Sequence, residues 1–600
     1  MGPTRLVVAI DFGTTYSGIA YCFPEKLPTG NLRGIQTWPG MLLGPTLQRA
    51  LTVTGSIGAD KIPTVVKYDS ANPGHFEWGA PVESSRHNII GIKLLLDPDQ
   101  TLPWHVPQTD IETTLKLLPP SKSPKDVATD FLRAIKTYGI SHIQTQVAKT
   151  NLDAFDIEYV MSVPAVWSDA AKNATLEAAE FAGISPVTLV KEPEAAALYS
   201  LRRLQAFVEP HDVMVICDAG GGTVDLISYE IEATTPNLQL KEIVPGTGAM
   251  VGSMVLNRRF RAAVKDLIPD NKWESLKHGR AVTNVCEYFE NQIKKGFAGD
   301  LKKRYVLDFF GTGLEDDPDH GFKDQEWRIT GADIKVIFDP VVTDILRLIR
   351  GQVQSVERKR KAVRSIILVG GFGGNEYLRS EVARANPGIT VVPLDDAWAA
   401  IAKGAALSKM PSQAVVTGVA AVRHYGVQAL ADFDSSIDQG QPTVYDACTG
   451  LYKVSRMSWF INIGDNIQKD RKIRLPFLRV LPENFQSGPT MLQETLFECD
   501  EGVAPVHPST SQAINANCVL HYDIGKFPAT NFKKMFKWSG NSLLTQGLFG
   551  CATDLILGES YWQVSYDLVI SFDSAVMTFS LEVDGQTFGS VQAEFGQQIW

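Results

Sequence analysis

Cysteine is scarce here and follows no pattern. The seven cysteines among 600 residues (22, 217, 286, 448, 499, 518 and 551) never pair as C-x-x-C. That excludes a zinc ribbon, gives no disulfide frame, and reads as a reduced, intracellular chain. Long apolar runs are also missing; none approaches the roughly 18 residues a membrane span needs. Strand-forming residues begin at Leu6 with no basic region, apolar core or cleavage site before them, so no secretory leader is expected. Gly2 has no Ser or Thr at the myristoylation spacing. There is no excess of positive charge. A net charge of −10 argues against a nucleic-acid or anionic-membrane surface. No G-x-x-x-x-G-K-[ST], no G-x-G-x-x-G after a strand and no G-x-S-x-G occurs, which excludes P-loop enzymes, dinucleotide folds and α/β-hydrolases. The length allows three or four lobes and a sizeable core.

What the chain does have is a matched pair of strand–turn–strand segments, Val7 to Tyr21 and Val213 to Tyr229. Each is an apolar run that reaches Asp, turns on Gly and Thr, and resumes apolar, as buried strands do. Asp11 and Asp218 hold the same place in the two copies. Glycine lets a backbone approach phosphate closely, and turn N–H groups with Thr hydroxyls donate to its oxygens. Two such turns facing each other would grip a triphosphate, with Asp11 and Asp218 holding a hydrated Mg²⁺ between them. Read alone, either segment is an ordinary hairpin.

Further motifs follow in order: Val163-Pro-Ala-Val-Trp167, Glu192-Pro-Glu-Ala-Ala-Ala197, Asp218-Ala-Gly-Gly-Gly-Thr-Val-Asp225 and Ile366-Ile-Leu-Val-Gly-Gly-Phe-Gly-Gly374. With Asp11-Phe-Gly-Thr-Thr-Tyr-Ser17 they cover residues 1 to about 410. In this the chain resembles the 70-kDa heat-shock protein family of the actin-like ATPase superfamily, and within it the divergent member 12-like branch. The resemblance implies an α/β fold: a duplicated actin-like, ribonuclease H-like ATPase with two lobes around a nucleotide cleft, over residues 1–410. Insertions are expected at about 38–118 and 256–322. It implies ATP or ADP with Mg²⁺ as cofactors, and weak ATPase activity.

The implied nucleotide contacts are Gly13, Thr14, Thr15, Tyr16, Gly220, Gly221, Gly222, Thr223, Gly252, Gly370, Gly371 and Phe372. Glu290 and Lys294 would clasp the adenosine, although the family's acidic–basic pair is spaced one residue closer. Asp11 and Asp218 are the metal candidates, through water. Lys93, Glu192, Asp225 and Thr223 are the catalytic candidates: Lys93 would orient the attacking water, and Glu192 would order water and metal. Each has a plainer reading, Lys93 as a snorkelling surface lysine and Glu192 as a helix-start carboxylate. Pro164 would relay nucleotide state between domains with Lys172, which replaces the family's arginine. The family's acidic residue before the last Gly-Ala-Ala is also replaced. Asp395 and Asp396 come early, and Trp398 takes the matching place before Gly404, so a reshaped base pocket is expected.

Helices are expected over about 124–147, with Val127, Phe131, Ile135 and Tyr138 on the buried face, and from Ser168 through about Ala182, stopped by Gly183. Asn375 is expected to cap a helix facing the nucleotide. Glu315, Asp316 and Asp317 read as a solvated loop. Met410-Pro-Ser-Gln reads as a linker. Beyond it, period-2 stretches and an Asp584-Gly585 turn predict a β-rich domain over 415–600. Trp459, Phe460, Trp562 and Trp600 are expected mostly in its core. This domain lacks the family's acidic Leu-rich linker, helical lid and acidic tail, so it reads as a degenerate substrate-binding domain. The resulting expectation is a cytoplasmic, chaperone-like protein whose nucleotide state controls binding of unfolded clients or a specific protein partner, with co-chaperones as further candidates. The nucleus is an alternative location. A small-molecule, sugar-type kinase of the same superfamily and a nucleotide-gated scaffold without useful hydrolysis are the alternative functions. Neither nucleic acid nor membrane is expected as a partner.

Overall fold

A computed structural model describes residues 4–24, 32–40, 60–69, 72, 74–82, 88–96, 114–147, 152, 155–394, 396–410, 414–446, 450–469, 471–485, 489–536, 560–573 and 575–595. Asp395, the Pro-Ser-Gln of the expected linker, Trp600 and much of the 38–118 insertion lie outside them. The chain divides into two compact units, residues 1–417 and 418–600. Among the described residues no helix is long and apolar enough to cross a membrane.

The first unit holds two sheets built to one plan. β1 (Thr4–Asp11) and β2 (Tyr16–Cys22) form an antiparallel hairpin, and β1 pairs in parallel with a later strand. Before that strand comes α1 (Pro124–Gln146). Ser123 and Asp126 close a capping box at its start, with Pro124 in the first turn, where its missing N–H costs nothing. Val127, Phe131 and Ile135 are buried as the 3.6-residue period requires. Tyr138 is only half-buried, because its hydroxyl donates to Thr37 O at 2.9 Å and its ring stacks on Trp38. The parallel strand is β3 (Phe155–Val163). It leads into α2 (Asp169–Phe181), which is capped by Ser168 and ends before Gly183 at φ 77°. β4 (Val187–Lys191) completes the row β2-β1-β3-β4, and α3 (Glu192–Arg203) follows directly.

The second sheet repeats the order. β5 (Val213–Ala219) and β6 (Val224–Ala233) form the hairpin, with β7 (Leu238–Ala249) beside β6. Helices α4 (Met254–Leu267), α5 (Arg280–Tyr288) and α6 (Gly331–Arg358) come next; α6 carries a Thr330–Asp333 capping box. β8 (Val363–Val369) pairs in parallel with β5, α7 (Glu376–Ala385) follows, and β9 (Thr390–Pro393) extends the row β9-β8-β5-β6-β7. α8 (Ala400–Leu407) lies on α3 so closely that a β-carbon at Gly404 would stand 1.7 Å from Ala195 O. In register, Asp11 lies opposite Gly18, and Asp218 opposite Asp225. The two hairpins therefore match position for position. Glu315, Asp316 and Asp317 sit between strands in a loop.

The second unit carries antiparallel strands. β10 (His424–Asp432) lies between β11 (Leu451–Ile461) and, later in the chain, β13 (Met491–Cys499), which pairs β14 (Asn515–Asp523). Another sheet joins β12 (Ile473–Leu481), β15 (Ser560–Asp573), β16 (Val576–Val583) and β17 (Gln586–Ser590). The β16–β17 turn uses Asp584 and Gly585, at φ 50° and 78°, the pair of positive angles a tight type I′ hairpin demands. The buried residues of this unit include Leu520, Tyr522, Val564, Tyr566, Leu568 and Ile570. Trp459, Phe460 and Trp562 are only half-buried, which corrects the expectation that they fill a core. The indole N–H groups explain part of this: Trp459 donates to Pro505 O and Trp562 to Glu483 O, so each ring stays at an edge where that acceptor is within reach.

Candidate functional site

The two Gly-Thr turns meet. A β-carbon added at Gly221 would lie 2.1 Å from Thr15 Oγ1, and one at Gly222 would lie 2.7 Å from Thr14 Cγ2. Only glycine admits that approach. Gly252 is wedged behind them, its N–H donating to Gly222 O and a β-carbon there meeting Gly221 O at 2.4 Å. Around the turns is a cleft of about 280 Å³, lined by both turns and by Asp11, Asp218, Lys61, Lys93 and Glu192. Glu290, Lys294, Gly370, Gly371, Phe372 and Trp398 line it too.

The glycines at 370 and 371 have separate causes. Gly370 has φ 80°, and a β-carbon there would clash with Asp218 Oδ1 at 2.3 Å. Gly371 lies under the Trp398 indole, 3.0 Å from a notional β-carbon to the ring, and Trp398 packs on Tyr16 at 5.3 Å between centroids. Lys294 and Glu290 pair at 2.6 Å across a π-helical turn, Phe289–Ile293, that follows α5. Such a turn takes up one extra residue in a helix. Burial pushes the Lys294 ammonium below its usual range, and Glu290 partly offsets that. Asn375 caps α7, accepting from Leu378 N at 2.9 Å, while its amide donates to Lys294 O at 3.0 Å.

Buried charge gathers beside the turns: Lys93, Glu192, Asp11 and Asp218 line the cleft, and Asp225 does not. Lys93 is fully buried, ion-paired with Glu192, and its Nζ stands 5.3 Å from the centre of the Trp167 ring. It does not snorkel to solvent. Burial raises the Glu192 pKa, against the pull of Lys93. Asp11 accepts from Ser162 Oγ at 2.8 Å through one oxygen; the other faces Lys61 Nζ at 2.5 Å, a charge pair whose angle falls short of an aligned hydrogen bond. Asp218 Oδ1 is buried with no hydrogen-bond partner among the described residues. Burial and then Glu192 and Asp225 lift the Asp218 pKa well above the carboxylate range. Asp225 rises to about 7, from burial first and then the Glu192 charge. Neither Asp225 oxygen accepts an aligned hydrogen bond, though the Thr223 hydroxyl and the Ala165 N–H stand close enough to temper that rise.

Lys61 was missed by sequence reasoning, which placed it in an irregular insertion. The signal was the same as for Lys93: a cation entering an apolar run, Lys61-Ile-Pro-Thr-Val-Val66. Burial pulls its pKa down, but Asp11, with Asp218 and Glu192 behind it, holds it above the usual lysine value. Pro164 is buried at the end of β3, and Ala165 packs on β7, 3.2 Å from a β-carbon placed on Gly246. Lys172 pairs with Asp169 at 2.9 Å on its own helix. Asp396, set apart from the cleft, binds Arg203, Lys403 and Tyr199.

Among the described residues no group of three or more His, Cys, Asp or Glu is placed to hold a metal. Of the two carboxylates that would hold a cation, Asp11 and Asp218, one already has a lysine on it.

Residues 101–417 match the family model described as "Hsp70 protein". The chain is 24% identical over 492 residues to mouse "Heat shock 70 kDa protein 12A", covering 67% of this chain and 69% of that protein. It is 23% identical over 524 residues to human "Heat shock 70 kDa protein 12B", covering 71% and 72%. It is also 24% identical over 382 residues to "Chaperone protein dnaK3" of Synechococcus elongatus, covering 61% and 45%.

Proposed function

The chain belongs to the Hsp70 family, in its divergent 12-like branch, and from that premise we propose an ATP-binding, slowly ATP-hydrolysing chaperone-like protein. In this reading residues 1–410 form a two-lobed actin-like ATPase domain and 415–600 a β-rich domain that binds protein clients or a partner under nucleotide control. It works in the cytoplasm. The observation that carries the reading is the apposition of the two phosphate turns, Thr15 against Gly221, around a cleft lined by buried charged groups.

Thr14, Thr15 and the Gly220–Thr223 turn hold the phosphates by backbone N–H groups and hydroxyls. When bound, the nucleotide supplies the phosphoanhydride bond that water cleaves. Lys93, fixed by Glu192 and Trp167, orients that water. Asp225, with its pKa near 7, takes the water proton on a carboxylate oxygen at neutral pH. Among the described residues no arginine lines the cleft, so turnover falls well below a median enzyme's roughly 10 s⁻¹. Ala165 touches both Asp225 and β7, which gives Pro164 a route for reporting phosphate state.

Calorimetric titration with ATP and ADP tests binding. Turnover measured with and without sugars, and with and without unfolded protein, separates chaperone, kinase and scaffold. Hydrogen exchange over residues 418–600 in ATP and ADP, in wild type and Pro164→Gly, tests coupling. Identical protection throughout would falsify nucleotide control of the second unit.

A further inference from the structure

We infer that Lys61 is a built-in cation of the phosphate cleft, whose ammonium neutralises nucleotide phosphate beside Asp11 and makes binding largely independent of divalent metal. This rests on the nucleotide reading above and deepens it.

Lys61 is locked in place. Its segment pairs with β2 through Tyr16↔Pro63 and Ser17↔Ile62. Thr64 N donates to Thr15 O, and Thr64 Oγ1 donates to Gly13 O, both at 2.8 Å, so the segment is stitched to the first phosphate turn itself. Ser17 Oγ and Thr64 Oγ1 share a further 2.8 Å hydrogen bond. The lysine stem runs over Gly18, where a β-carbon would come within 3.0 Å of Lys61 Cγ. The equivalent position of the other hairpin is Asp225. The first hairpin thus gives up a side chain where the second carries a carboxylate, and Lys61 occupies the space. Its Nζ reaches Asp11 at 2.5 Å, lines the cleft, and stands 6.0 Å from the centre of the Trp398 ring.

A triphosphate entering among buried carboxylates needs positive charge close by. A hydrated divalent ion commonly supplies it, held by acidic side chains. Here an ammonium, on a segment hydrogen-bonded to the first turn, already stands at Asp11, and an entering phosphate would compete with that carboxylate for it. Lysine is a compact point charge and binds phosphate directly. The same contact makes Asp11 a poorer metal ligand.

The test is calorimetric titration of ADP and ATP into the full chain in MgCl₂ and in EDTA, for wild type, Lys61→Met and Lys61→Arg, with melting temperatures recorded for each. Wild type should bind within about threefold equally in the two buffers, whereas Lys61→Met should lose about tenfold or more in EDTA and recover in Mg²⁺. Lys61→Arg keeps the charge and should keep binding in EDTA. Mn²⁺ titration followed by electron paramagnetic resonance, with ADP present, should show tighter metal binding in Lys61→Met, because Asp11 is released. A wild type that loses about tenfold or more in EDTA, or a Lys61→Met protein that melts lower but binds as wild type in EDTA, overturns the inference and leaves Lys61 a structural counter-ion. No binding by wild type in either buffer overturns the nucleotide reading, and the inference with it. If Lys61→Met does not fold, Lys61→Arg and the wild-type comparison still decide.

Discussion

Thr15 and Gly221 come from turns more than two hundred residues apart in sequence, yet a β-carbon on the glycine would stand 2.1 Å from the threonine hydroxyl oxygen. The contact sets how closely the two turns approach, and a substitution there should act on the ligand before it acts on the fold.

Gly221→Val should weaken ATP and ADP binding by about tenfold or more, since the nearest atoms it meets belong to Thr15 and the turns must part. Gly351→Ala is the control. It sits in α6 with open space around a new β-carbon, and should stabilise by about 0.5–1 kcal/mol through the unfolded chain without touching binding. Titration calorimetry and denaturant melts read the two effects separately.

Lys93→Met should lower turnover more than nucleotide affinity. It also strands the buried Glu192 carboxylate, which costs about 3–5 kcal/mol for a broken buried pair. Lys93→Met combined with Glu192→Gln should recover most of that stability and none of the turnover. If the single variant keeps wild-type turnover, Lys93 is not in the mechanism.

Asp225 governs a pH effect of definite sign. Its folded pKa, about 7, lies above the ordinary carboxylate value of 3.8, so the folded state holds the proton more tightly than the unfolded chain does. The stability it contributes is whole below pH about 4 and is lost as pH climbs through about 7. Asp225→Asn, which cannot ionise, should melt higher than wild type at pH 8 and show a vanishing advantage near pH 4. Each tenfold difference in proton affinity between the folded and unfolded states is worth about 1.4 kcal/mol. An advantage that is equal at both pH values would remove the raised carboxyl from the explanation.

In the second unit, Arg479 on β12 is ion-paired with Glu494 on β13, and the Tyr522 and Tyr566 hydroxyls meet beside them at 2.8 Å. This buried polar group joins the two sheets. Burial raises the Glu494 pKa while Arg479 draws it back. Arg479→Met alone should cost about 3–5 kcal/mol, while Arg479→Met with Glu494→Leu should lie near wild type, because it removes both charges together. Denaturant melts monitored over residues 418–600 by hydrogen exchange measure this.

Local elements were legible in the sequence wherever chemistry and period agreed. The paired hairpins announced themselves by apolar runs closing on Asp, Gly and Thr. α1 was marked by its three-to-four-residue apolar period, α2 by its Ser cap and terminating Gly, and the Asp584-Gly585 turn by its two residues. Most candidate residues of the cleft come from the five motifs, with Lys93, Gly252, Glu290 and Lys294 outside them; one cleft is lined by the nucleotide, metal and catalytic candidates except Gly252 and Asp225, and their roles are for the experiments above. Lys61 was not legible, because its importance depends on Thr64 bonding to the first turn and on the room left by Gly18, both of which are long-range facts. Tyr138, Trp459, Phe460 and Trp562 were misjudged from the same kind of signal. Period and hydrophobicity say which face a ring lies on, but in Tyr138, Trp459 and Trp562 a polar tip with an acceptor in reach holds the ring at the edge. Phe460 has no such tip, and nothing in the structure explains its half-burial.

The register of the two hairpins has a consequence for direction. A pair of identical turns would receive an elongated ligand equally well either way round. Here Asp11 looks across at Gly18, and Asp218 across at Asp225. At the equivalent position one hairpin thus has a glycine with the Lys61 stem over it, and the other has a carboxylate. The two hairpins are therefore not interchangeable, and a ligand lying across both turns would meet different chemistry at each.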